Sequence, residues 1–361
     1  MSLSNIIRAD IQQMTAYAVA ATPPGFIKLD AMELPYRLPE TFRQALAAEL
    51  ADAPINYYPN VATCGLQQVL RDTFQVPAAA EIALGNGSDE LIQMISLLVA
   101  QPGATVLALE PSFVMYKHNA ALFGLNYAGV PLNDDFTLNL PAVLAAIEQH
   151  QPALIFVSYP NNPTGIAFER EQVEAIIAAA PGLVVIDEAY GSFSRDSFLP
   201  QAGSLEKLVV MRTLSKIGFA GLRIGYAAGH PAVMNELAKI LPPYNMNQLS
   251  LATANFALRH YDWVLEHVEI LKQERSRMQQ ALSQFSGVTA FASEANFITA
   301  RVPDAEALFA ALKEQGILIK KLHGGHPLLN QCLRFTIGTP EQNSRVLEVV
   351  ADFYRQKIAF N

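Results

Sequence analysis

Short apolar runs recur through the middle of the chain at 82–84, 105–109, 153–157, 183–186 and 208–211, and the stretches between them carry apolar residues at helical spacing. Runs this short and this continuously apolar, separated by helix-length segments, predict strands of a mostly parallel sheet covered on both faces. Ahead of this region the pattern predicts helices near 40–50 and over 65–74, with the aromatic loop Ile55-Asn56-Tyr57-Tyr58-Pro59 between them. Behind it lies a helix-rich passage over 231–285, with a long helix starting at Tyr261. Strands at 295–300, 317–319 and 333–337 then alternate with helices near 304–315 and 340–356. The expected architecture is α/β: a three-layer large domain over 46–245 and a smaller α+β domain over 246–361. Residues 1–45 form a polar, proline-marked arm that cannot fold alone and packs on the smaller domain or on a partner subunit.

Composition narrows what such a chain can bind. Of its 361 residues 51% are hydrophobic, enough for a substantial interior, and the net charge of −8 argues against a sequence-independent grip on nucleic acid. Any anionic ligand must therefore meet local positive charge. The two cysteines, Cys64 and Cys332, are too far apart in sequence to make a disulfide framework. The first ten residues lack a basic stretch followed by an apolar one, and no apolar run approaches the roughly 20 residues of a membrane span. A cytoplasmic protein with no nucleic-acid or membrane partner is expected.

The polar motifs all fall just after the apolar runs, at the carboxyl ends of the expected strands, where open parallel sheets bind ligands. Gly85-Asn86-Gly87-Ser88-Asp89-Glu90 opens a helix and reads either as a phosphate site built from backbone N–H groups or as an ordinary N-cap supplied by Ser88 or Asp89. A dinucleotide fingerprint is excluded because Glu90 stands where its third glycine belongs. Phe113 follows the strand ending at Leu109 and suits stacking on a flat ring, or simple core packing. The turn Tyr159-Pro160-Asn161-Asn162-Pro163-Thr164-Gly165 holds the amide of Asn162 in a fixed direction. Asp187 closes the run Val184-Val185-Ile186, where a carboxylate is costly unless a cation, a helix end or several donors meet it.

Arg334 lies inside an apolar strand and asks for an anion, either a ligand or an internal acid. In Arg212-Thr213-Leu214-Ser215-Lys216, followed by Arg223, one amine is flanked by hydroxyls and a guanidinium. That arrangement suits covalent capture of an aldehyde cofactor carrying a phosphate, although lysines beside Ser or Thr are mostly on surfaces. His323-Gly324-Gly325-His326 reads as a loop or lid without nearby acidic ligands rather than a metal site.

Taken in order, these motifs resemble the pyridoxal-phosphate aminotransferases of fold type I, and within them the histidinol-phosphate aminotransferases, over nearly the whole chain. The resemblance implies pyridoxal 5′-phosphate as cofactor, with Lys216, Asp187 and Tyr190 as catalytic residues. Lys216 would carry the cofactor and move a proton, Asp187 would face the pyridine nitrogen, and Asn162 and Tyr190 would bond the ring oxygen. Phe113 would stack on the ring, while Gly87, Ser88, Asp89, Thr213, Ser215 and Arg223 would hold the phosphate. Tyr58 would reach across from a second subunit, making a homodimer with active sites at the interface. Tyr17, Asn162, Arg334 and Lys320 would meet the substrate. The implied reaction passes the amino group of L-histidinol phosphate to 2-oxoglutarate, with an aromatic or broad-range aminotransferase, or a phospho-amino-acid decarboxylase, as alternatives. Two departures from the family pattern stand out: Met32 and Leu34 replace the asparagines of L-D-x-N-E-N-P, and Lys320 stands where arginine is frequent.

Overall fold

The computed structural model describes residues 6–16 and 21–359. Two sheets organise the chain. The larger has seven strands: β2 (Glu81–Asn86), β3 (Thr105–Glu110), β4 (Asn126–Pro131), β5 (Leu154–Ser158), β6 (Leu183–Asp187), β7 (Leu208–Thr213) and β8 (Ile224–Gly229), in the spatial order β2-β8-β7-β6-β5-β3-β4. The run β7-β6-β5-β3-β4 is parallel, and β8 runs antiparallel between β2 and β7. Alternate residues of the same strands feed two separate cores. Val106, Ala108, Leu154, Phe156, Val185, Val209 and Met211 pack on one face. Leu107, Leu109, Ile155, Val157, Val184, Ile186, Leu208 and Val210 pack on the other. With both faces buried, period-two alternation of polarity vanishes, which is why these strands read as continuous apolar runs.

The five expected runs of this sheet all form strands, and two further strands, β4 and β8, complete it. Strand β4 is a half-exposed edge carrying Gly129 and Pro131, and β8 (Ile-Gly-Tyr-Ala-Ala-Gly) is buried but built of small residues. Neither contains the large β-branched run on which the reading relied.

The smaller sheet has the order β1-β11-β12-β10-β9, from β1 (Ile27–Leu29), β9 (Thr289–Ala290), β10 (Phe297–Arg301), β11 (Ile317–Lys321) and β12 (Cys332–Thr336). Strand β1, from the proline-marked arm, pairs parallel to β11 with Ile27 opposite Ile317 and Leu29 opposite Ile319. The segment that follows β1 is thereby drawn toward the carboxyl ends of the large sheet's strands. Between the sheets in sequence lie helices Pro231–Ile240, Gln248–Arg259 and Tyr261–Leu282, and helix Pro340–Ala359 closes the chain. Among the described residues no helix is long and apolar enough to cross a membrane.

Candidate active site

The carboxyl ends of β5, β6 and β7 and the start of helix Ser88–Leu98 converge on a cavity of about 390 Å³. Ser88, Asp89, Phe113, Asn162, Asp187, Tyr190, Thr213, Ser215, Lys216 and Arg223 all line it, together with Ala31, Met32 and Glu33 from the segment after β1.

Lys216 sits in a tight turn, Leu214–Ile217, entered when Thr213 Oγ1 accepts the Ser215 N–H at 3.1 Å and left through Gly218 at φ 107°. A left-handed exit of this kind suits glycine. The turn aims the amine inward, where Nζ donates to the Ala31 carbonyl at 3.2 Å and lies 5.9 Å from the centre of the Tyr190 ring. The amine's pKa is drawn down to about 8, first by burial and then by the charge of Arg334, against the opposing pull of Asp89 and Glu33. The surface reading of this lysine is therefore set aside.

Asp187 ends β6 with 3% of its surface exposed. Its Oδ2 accepts the Tyr116 hydroxyl at 2.7 Å and its Oδ1 the Ala189 N–H at 3.1 Å. These partners are a phenol and a backbone amide, not an arginine, so the pairing alternative is not the one the fold uses. Burial lifts the carboxyl to about 6, with the two hydrogen bonds and the Lys216 charge pulling the other way. A buried carboxylate whose hydrogen-bond partners are both neutral, at the wall of a cavity, is suited to a cationic ring atom.

At the start of helix Ser88–Leu98 the residue in the cap position is Gly87, at φ 84°, and no side chain caps the helix. The expectation that Ser88 or Asp89 serves as N-cap is thus corrected, and the first N–H groups remain open toward an anion. The Glu90 carboxylate instead reaches back to the Asn86 N–H at 2.7 Å. Arg223 packs its guanidinium against the Cα of Gly87 and holds Ser215 Oγ at 3.4 Å and Asp89 Oδ2 at 3.2 Å. Gly225 presses as closely on Ser88, where an added Cβ would lie 2.5 Å from the Ser88 nitrogen. Two glycines, two hydroxyls, a helix start and a guanidinium thus form one cradle.

Next to the cavity-lining Asn162, Arg334 of β12 donates to Asn162 Oδ1 at 2.7 Å and to the Asp30 carbonyl at 2.9 Å. With its oxygen so engaged, Asn162 has its Nδ2 amide left to donate toward the cavity it lines. The Tyr190 hydroxyl stays protonated, because burial pushes its pKa well up.

Other predicted positions stand apart. Tyr58 is 79% exposed and stacks on Tyr244 at 4.6 Å, outside the cavity. Lys320 is exposed on β11, directly opposite Arg334 in the register. Tyr17 lies outside the described residues. The His323–His326 loop does have an acid nearby, since His326 Nε2 is 3.9 Å from Glu110 Oε2, which corrects that expectation. Among the described residues no three potential metal ligands cluster. Sequence reading missed Tyr116, Ser158 and the backbone of 30–33. Of these only Tyr116 carried a signal, three residues after Phe113 on a helix leaving a strand end.

The family model described as aminotransferase class I and II matches residues 24–350. The chain belongs to this family. It is 60% identical to a histidinol-phosphate aminotransferase of Neisseria meningitidis serogroup B, covering 99% of each chain. It is 56% identical to one of Chromobacterium violaceum, covering 98% of this chain and 99% of that one. Among solved structures, the histidinol-phosphate aminotransferase of Sinorhizobium meliloti in complex with pyridoxal-5′-phosphate superposes with a TM-score of 0.84 at 25% identity, covering 97% of this chain and 98% of that one. The fold is that of the type I pyridoxal-phosphate enzymes, and the cofactor of this aminotransferase is pyridoxal 5′-phosphate. The residues present fit it: an inward amine, an anion cradle, and a buried carboxylate with room for a cation.

Proposed function

We propose that this aminotransferase passes the amino group of L-histidinol phosphate to 2-oxoglutarate, yielding imidazole acetol phosphate and L-glutamate. The observation that carries the reading is the 60% identity, over 99% of both chains, to a protein of that name. The charge distribution supports it, with Arg334 held on the cavity-lining Asn162 and Lys320 opposite Arg334 on the neighbouring strand.

When bound, the cofactor supplies an electron sink for the negative charge left at the donor's Cα. The chain supplies the rest. The Lys216 amine would hold the cofactor through its aldehyde carbon and, when free, would take the proton from the donor's Cα. With a pKa of about 8, roughly a tenth of the amine is neutral at pH 7, against fewer than one in a thousand for an ordinary lysine. Asp187 would keep the ring nitrogen protonated, Asn162 and Tyr190 would donate to the ring oxygen, and Phe113 would stack on the ring. Gly87, Ser88, Asp89, Thr213, Ser215 and Arg223 hold the cofactor phosphate. Arg334, with Lys320, would receive the donor's phosphate.

The reading includes a homodimer in which Tyr58 reaches the partner's phosphate cradle. The exposed Tyr58–Tyr244 stack, with Ile55 and Tyr57 also exposed on the same loop as Tyr58, supports it, since exposed apolar surface of this kind marks an interface. It also includes a cytoplasmic location and the division into arm 1–45, large domain 46–245 and small domain 246–361. The test is a panel of single donors with 2-oxoglutarate: L-histidinol phosphate, L-phenylalanine and O-phospho-L-threonine, with L-glutamate and carbon dioxide both measured. Fastest glutamate formation with L-histidinol phosphate is expected. Preference for phenylalanine, or decarboxylation without glutamate, would refute the assignment.

A further inference from the structure

Tyr116 belongs to helix Val114–Leu122 and is 1% exposed. Its ring lies flat on Phe156 of β5, centroids 4.5 Å apart at 3°, and edge-on to Phe113 at 5.7 Å and 83°. Its hydroxyl donates to Asp187 Oδ2 at 2.7 Å. One side chain thus touches both groups that would flank the cofactor ring, the stacking Phe113 and the carboxylate Asp187, without itself lining the cavity. The direction of the hydrogen bond is settled by chemistry. Burial and the neighbouring Asp187 charge hold the phenol far above its ordinary pKa, so Tyr116 keeps its proton and the carboxylate accepts it.

We propose that Tyr116 is a positioning residue that orients the Asp187 carboxylate toward the ring nitrogen through its hydroxyl, while its ring backs Phe113. The proposal rests on the role given to Asp187 above. With Ala189 N–H on Oδ1 and Tyr116 on Oδ2, each oxygen has one fixed donor, which defines the plane of the carboxylate and leaves its remaining lone pairs for the ligand. Removing the hydroxyl frees the carboxylate to rotate and removes a donor that favours its ionised form. The charged and titratable groups around Asp187 are Tyr116, Asp89, Lys216 and Tyr190. None of the other three donates a hydrogen bond to either of its oxygens among the described contacts.

The experiment uses Tyr116→Phe, which keeps both ring contacts, alongside Asp187→Asn and the double variant, all as full-length cofactor-free protein. Equilibrium binding of pyridoxal 5′-phosphate is measured from pH 5 to 9, and the carboxyl titration is followed by isotope-edited infrared difference spectroscopy. Tyr116→Phe is expected to weaken binding about tenfold at neutral pH, the scale of one lost hydrogen bond to a charged group. It should also move the acid limb of the binding curve and the carboxyl titration to higher pH, and add nothing in the Asp187→Asn background. A loss that is independent of pH and equal in both backgrounds would mean a merely structural role and overturn the proposal, as would unchanged binding. If Asp187→Asn alone leaves binding unchanged, the role of Asp187 itself falls. If it weakens binding while Tyr116→Phe does not, only the role of Tyr116 falls.

Discussion

Gly87→Ala separates the cost of backbone strain from the loss of a ligand contact. Gly87 holds φ 84° at the helix start, and a Cβ there would overlap Arg223 Nη2 and lie 2.9 Å from its Cζ. With ψ 164° this is a region open essentially to glycine alone, and holding a residue with a Cβ there costs about 1–3 kcal/mol. The overlap itself is relieved cheaply, because the guanidinium is the far end of a flexible, half-exposed side chain. The cofactor-free variant should therefore lose about 1–3 kcal/mol of stability by denaturant unfolding. Relief, however, swings Arg223 out of the cradle it shares with Ser215 and Asp89. A lost charge-assisted hydrogen bond is worth about 1.5–3 kcal/mol, so affinity for pyridoxal 5′-phosphate should fall roughly 10- to 100-fold. Titration of the cofactor-free protein, read by the single tryptophan, measures this. In an Arg223→Ala background the same substitution should add little, because the two act through one group. Affinity within twofold of the parent, in a variant with the expected loss of stability, would refute the phosphate role of Arg223.

Other outcomes follow from the same geometry. Lys216→Ala should abolish turnover and the visible band of covalently held cofactor; retention of either sinks the assignment. Because burial lowers the Lys216 pKa to about 8, the neutral amine accumulates above that pH, so covalent uptake of pyridoxal 5′-phosphate should rise through pH 8 and level off. A rate still climbing past pH 10 would contradict the burial argument. Arg334→Ala should raise the KM for a phosphorylated donor roughly 10- to 100-fold, with a smaller change for donors lacking an anion; equal effects on both would remove Arg334 from phosphate recognition. Tyr58→Phe should speed cofactor loss on dialysis, and unchanged retention would count against a tyrosine crossing between subunits.

What could be read from the chain, and what could not, follows from where each residue's partner lies. Strands β3, β5, β6 and β7 were legible because both faces are buried, leaving uninterrupted apolar runs. Strand β8 was not, since its small residues are dictated by neighbours pressing on it, as Ser88 does on Gly225. Asp187 and Lys216 were legible as chemical anomalies, a charge closing an apolar strand and an amine among hydroxyls. Apart from its spacing from Phe113, Tyr116 looked like any core aromatic, because its hydrogen bond goes to an oxygen 71 residues away. The segment after β1 was illegible for a different reason, in that its hydrogen bonds to the site come from its backbone. The carbonyls of Asp30, Ala31 and Met32 accept from Arg334, Lys216 and Asn296 in turn, and Met32 takes φ 54°, a conformation that asparagine tolerates better than methionine.

That division of labour bears on how such an enzyme can change. The groups placed around the cofactor ring and its phosphate stand on the large sheet, whereas Arg334, Lys320 and the strap of β1 belong to the small one. The two are joined over one shared core, by the hydrogen bonds from Arg334 to Asn162 and from Thr299 to the Pro163 carbonyl and by the grip of Glu294 on Ser194 and Arg195. On the proposed reading, substitutions on β1, β11 and β12 would change which amine is admitted while leaving in place the lysine turn and the buried carboxylate of the large sheet.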